Sequence, residues 1–119
     1  MEITYTKPNI VEGNKYNYIV NAFITYNNKN NTYNYISINL GGYFIYDDII
    51  AKLITAKYTQ DQVTAITLNY LLTLHQEVLD PEKVKEYEQE YKELQEYRAA
   101  CKAEAKKAIE YVEINGIHP

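Results

Sequence analysis

The chain has 119 residues, enough for one domain core of ordinary size and too few for two. A net charge of -4 at pH 7 withholds the basic footprint of a nucleic-acid binder. No apolar run approaches the roughly 18 residues of a membrane span, and a single cysteine, Cys101, excludes an intrachain disulfide or a multi-cysteine metal site.

Residues 1–46 are rich in Tyr, Asn, Ile and Thr and read as an antiparallel sheet of three to four strands. Glu2–Thr6 is a short strand candidate closed by Pro8, which cannot donate to a ladder. In Tyr16–Tyr26 the even positions Tyr16, Tyr18, Val20, Ala22, Ile24 and Tyr26 form one apolar face, a period of two. Tyr33–Leu40 repeats the pattern with Ile36, Ile38 and Leu40. The Asn-rich stretch between these two strands predicts a hairpin. Gly41-Gly42 makes a turn or bulge, and Tyr43–Tyr46 is the candidate for a last short strand.

Residues 47–79 supply the covering layer as two helices. Asp47 or Asp48 is the expected cap of the first, with Ile49, Ile50, Leu53 and Ile54 inside. Thr59 opens the second, with Gln62 at capping-box spacing. Its apolar stripe of Val63, Ile66, Tyr70 and Leu74, widened by Ala65, Leu68, Leu71 and Leu72, predicts the most buried element.

Asp80-Pro81 starts a third helix and Asn115-Gly116 stops it, so residues 80–114 form one long element. Val84, Tyr87, Tyr91, Leu94, Arg98, Cys101, Ala105, Ala108 and Val112 make a heptad-like seam. At about 1.5 Å per residue the helix is roughly 50 Å long, more than the roughly 30 Å span of a compact domain of this size. It must overhang, pair with another chain, break, or pack back on Thr59–Leu74 as a helical hairpin. Tyr87, Tyr91, Leu94, Arg98 and Cys101 are the candidate self-association residues.

Candidate chemistry is sparse. His75 and Glu77 could be a general base pair, but a histidine at a helix end is commonly a capping residue. His118 sits near the C-terminus, where disorder is common. Cys101 lies mid-helix among alanines, where a small core residue is the ordinary reading. Asp47-Asp48 lacks an oxygen-ligand loop behind it, and the four glycines form no phosphate cradle. No catalytic set, metal site or cofactor is therefore expected.

The surplus is aromatic: 14 Tyr and no Trp. Tyr and Asn together build recognition surfaces, and Tyr16, Tyr18, Tyr26, Tyr33 and Tyr35 are the candidate partner-binding residues. An AT-rich coding sequence yields the same composition, and tyrosine suits strands in any case. Stacking of single-stranded nucleic acid is disfavoured because residues 1–46 carry only Lys7, Lys15 and Lys29.

Lys57-Tyr58-Thr59, Ala65-Ile66, Asn69-Tyr70, Glu86-Tyr87, Tyr97-Arg98, Cys101-Lys102 and Ala105-Lys106 form a loose pattern. Over the C-terminal half it resembles small uncharacterised proteins of bacteriophages and mobile elements. The resemblance implies a viral or mobile-element origin and no particular chemistry. The expectation is an α+β, non-enzymatic interaction protein that binds a host defence or virion component and self-associates. The alternative is a protein that sequesters a nucleotide-like small ligand near Arg98. The first ten residues lack a secretion-signal pattern, so a cytoplasmic location is expected, that of the host cell for a phage protein.

Overall fold

The computed structural model describes residues 1–116. It is an α+β arrangement of four strands followed by three helices. The strands are β1 (Glu2–Thr4), β2 (Val11–Asn14), β3 (Asn17–Asn27) and β4 (Thr32–Asn39), in one antiparallel sheet of order β1-β4-β3-β2. The helices are α1 (Tyr46–Lys57), α2 (Gln60–Leu74) and α3 (Pro81–Asn115).

Strands β3 and β4 form the expected hairpin, with Asn31 in the left-handed region at φ 53°. Sequence reading missed β2, whose four residues place only Val11 in the core. Its hairpin to β3 closes over Lys15 and Tyr16. There the Asn14 carboxamide oxygen accepts from the backbone N–H groups of Tyr16 (2.9 Å) and Asn17 (3.2 Å). Gly13, at φ 98°, is required: a Cβ there would meet the Asn17 carbonyl oxygen at 2.1 Å. The expected strand at Tyr43–Tyr46 is not formed; the chain there runs irregularly until α1 begins at Tyr46.

Most of the hydrophobic core lies between one side of the sheet and the helices. Val20 and Ala22 of β3 with Ile38 and Leu40 meet Ile49 and Leu53 of α1 and Cys101, Ala105 and Ala108 of α3. The small α3 side chains let that helix lie close to the strands. Asp47 and Asp48 do not cap α1. Its N-cap is Ile45 without a side-chain bond, and the two aspartates sit in the first turn, where their charge favours the helix dipole. Thr59 caps α2 in a full capping box with Gln62, and Asp80 caps α3 by accepting from the Glu82 N–H at 3.0 Å.

Burial corrects one expectation. In α2 only Val63 is buried, while Leu68, Leu71 and Leu74 are 53%, 45% and 58% exposed. It is therefore not the most buried element. Helix α3 is unbroken, and its 35 residues at about 1.5 Å each nearly fill the 56 Å long axis of the molecule. The body lengthens to match the rod. Helix α2 lies along the first half of α3, where Tyr70 stacks on Tyr91 at 3.9 Å, and α1 and the sheet lie along the second.

Candidate functional site: the open face of the sheet

Register divides the sheet into two sides. Val20↔Ile38 and Ala22↔Ile36 face the core, so Ile19↔Asn39 and Asn21↔Ser37 belong to the other side by register. That side is covered at Asn21, which is 2% exposed and donates its side-chain amide to the Asn9 carbonyl at 2.7 Å, and is open toward the β3–β4 hairpin. A β-bulge interrupts this alternation. Between the pairs Ala22↔Ile36 and Thr25↔Asn34, Phe23 and Ile24 together oppose Tyr35. Phe23 takes φ 55°, unusual for a bulky residue, and its backbone N–H donates to the Glu104 carboxylate of α3 at 3.1 Å. The Phe23 ring stacks on Tyr97 at 5.7 Å.

The extra residue reverses the parity of the strand. Tyr26 would share a side with Val20 and Ala22 in an unbroken period of two. After the bulge it pairs directly with Tyr33 on the open side, ring centroids 5.0 Å apart. Its hydroxyl donates to the Asn31 side-chain oxygen at 2.9 Å, tying the ring to the hairpin loop.

Tyr26, Tyr33 and Tyr35 are thus brought together on the open side. Ser37 and Asn39 continue the row along β4, and Glu2 and Thr4 of β1 pair with Tyr35 and Tyr33. Tyr26 is 53% exposed and Tyr33 and Tyr35 are half-buried. The other two predicted tyrosines lie elsewhere. Tyr18 belongs to the core side and packs against Phe44 at 5.6 Å. Tyr16 sits in the β2–β3 turn, 69% exposed, with the Lys15 ammonium 5.1 Å from its ring. Ser37 and Asn39 lie opposite the apolar side of β4, where the alternation of the sequence puts them; Glu12 was missed together with β2, whose register would have been needed to find it. Glu2 and Glu12 give the surface acidic charge and no matching lysine at any paired position, which repels a phosphate backbone.

The predicted self-association residues are split. Leu94 and Cys101 are fully buried inside their own chain and are out of reach of a second copy. Tyr87, Tyr91 and Arg98 are half-buried. Among the described residues the Arg98 Nε and the Gln95 side-chain nitrogen are buried donors without hydrogen-bond partners. Arg98 lines none of five surface cavities, which lie around Asn9 and Tyr111, Lys7 and Glu104, Tyr58 and Glu90, Gln60 and Leu71, and Met1 and Lys57.

His75 is the C-cap of α2, its backbone N–H donating to the Leu71 carbonyl, and is exposed. His118 lies outside the described residues. Burial pushes the Cys101 thiol above its ordinary 9.0, against the thiolate form a nucleophile needs. Among the described residues no group of three or more His, Cys, Asp or Glu is placed to hold a metal ion, and no helix is long and apolar enough to cross a membrane.

Compared with family models, curated proteins and solved structures, the chain matches none.

Proposed function

We propose that this protein is a non-enzymatic interaction module whose open sheet face recognises another protein. The supporting observation is the bulge-positioned Tyr26–Tyr33 pair with Tyr35 beside it, on the sheet side turned away from the core that the helices form with the strands. Such a surface offers wide, stiff aromatic area with hydroxyl and carboxamide groups for orientation, at little cost in side-chain freedom. Two acidic residues and no lysine at the paired positions favour a neutral or basic protein patch over a nucleic acid. The resemblance to phage and mobile-element proteins makes a host defence or virion component the class of partner, in the cytoplasm of the host. Self-association belongs to the same reading.

The second reading, a nucleotide-like ligand held at Arg98, has the unpartnered Nε in its favour. Five surface cavities among the described residues are lined by other residues, and Leu94 and Cys101 beside Arg98 are sealed in the core, which weighs against it.

The test is capture of partner from host extract on immobilised protein, followed by affinity measurement on the identified partner. Tyr33→Ser with Tyr35→Ser is expected to weaken binding by at least about tenfold, roughly 1.4 kcal/mol, with an unchanged circular-dichroism spectrum. Equal binding by the double variant, or no specific partner for the wild type, would remove the sheet face from the proposal.

A further inference from the structure

We infer that two copies of this chain pair antiparallel through the outer face of α2, α2 against α2, with the two α3 helices on the outside of the pair. This rests on the self-association part of the reading above and is independent of the sheet face. Leu68, Leu71 and Leu74 expose about half of their surface, and a cavity of about 410 Å³ lies beside them, lined by Gln60, Val63, Thr64, Thr67, Leu68 and Leu71. A leucine ridge next to a groove on the same helix is self-complementary under a two-fold axis: each ridge fills the other copy's groove.

Charge selects both the face and the occupant. Helix α2 carries one charged residue, Asp61, in a chain that is 24% charged. The neighbouring half of α3 is the opposite: residues 80–97 hold seven acids and three bases. Two α3 surfaces of like charge repel, whereas two α2 faces do not. A basic partner would find its complement on α3, and the nearly uncharged α2 face suits an identical face. Antiparallel alignment opposes the helix dipoles and keeps the two Asp61 carboxylates about a helix length apart, roughly 20 Å and well beyond the Debye length of about 8 Å. The face is one short helix with its flanking groove, so the area covered falls below about 1,200 Å² in total and the dimer is a weak one, with Kd on the order of tens of micromolar.

Sedimentation velocity on the full chain from about 5 to about 300 µM reads the outcome directly. The wild type is expected to move from one protomer to two. Leu68→Glu with Leu71→Glu is expected to stay monomeric throughout. Tyr33→Ser, on the open sheet face, should dimerise as the wild type does, which separates this proposal from the sheet-face reading. Leu68 lies near the middle of α2, so Leu68→Cys should cross-link to its own copy on mild oxidation, while Gln62→Cys, on the other flank, should not. A single-protomer mass at 300 µM, dimerisation untouched by the double substitution, or equal cross-linking at both cysteine positions would each overturn the inference. That includes the case in which α2 serves a different protein.

Discussion

Tyr97 is the residue on which the core side of the fold converges. Its hydroxyl donates to the Leu53 carbonyl at 2.7 Å, its ring stacks on Phe23, and the Lys57 ammonium lies 4.7 Å from that ring. Burial raises its hydroxyl well above the ordinary 10.0, with neighbouring Cys101 adding to the rise, and burial likewise raises the Cys101 thiol above 9.0. Both groups keep their protons longer in the folded chain than in the unfolded one. Their contribution to stability is therefore complete below about pH 9 and declines as pH rises past 9 for the thiol and past 10 for the phenol. Urea unfolding between pH 7 and 10.5 should show this decline. Tyr97→Phe should flatten it and should cost about 1 kcal/mol at pH 7 through the lost hydrogen bond. A variant with the same pH profile as wild type would remove Tyr97 as the cause. Cys101 was legible as a small core residue from its place among alanines. The role of Tyr97 was not, because it lies one position off the heptad-like seam and its partners come from two other elements.

At the scale of elements, the bulge in β3 sets what the open side displays. A left-handed Phe23 costs on the order of 1 kcal/mol or more. The Glu104 carboxylate on its N–H and the stack on Tyr97 offset that cost. Glu104→Ala is expected to destabilise the protein by about 1–3 kcal/mol and to loosen the Tyr26–Tyr33 contact. Thermal unfolding and ring-to-ring nuclear Overhauser effects read the two consequences, and both unchanged would show that the bulge holds without the carboxylate. The alternation does break at Ala22-Phe23-Ile24, but an apolar residue on the polar side is equally what a strand with one mixed face shows, so the break alone does not report a bulge. That is why Tyr26 reads from sequence as part of the buried face. Caps show the same contrast between local and distant causes. Thr59 with Gln62 is a complete signal within one turn and is formed as read. Asp47-Asp48 fails as a cap because the chain leaving Phe44 enters the helix two residues before Asp47, with Ile45 at the cap position. The α2 stripe misled for another reason: leucines on three sides of a helix indicate burial only if neighbours exist on three sides, and α3 covers one.

The whole molecule is longer than its chain length requires. A 119-residue chain packed to the usual density has a radius of gyration near 13.5 Å by the general scaling. The value here is 17.5 Å, with a least dimension of 21 Å. The extra length of α3 was legible from its start and stop residues; what lies alongside it was not, because helix-hairpin and coiled-coil seams have the same spacing. Coverage along the rod is uneven. The hairpin half holds Val63 and Leu94 as its buried apolar side chains, whereas the other half shares the main cluster of Ile49, Leu53, Cys101, Ala105 and Ala108 with the sheet. Amide hydrogen exchange should therefore be faster by at least about tenfold in α2 and residues 81–93 than in α1 and residues 97–110. Uniform protection along α3 would count against this division. No proline or glycine interrupts the chain from Glu82 to Asn115. A helix of that kind acts as a ruler. Whatever the strands hold is carried at a fixed stand-off from whatever meets the far tip, so the molecule is geometrically suited to spacing two things apart and poorly suited to signalling between them by bending.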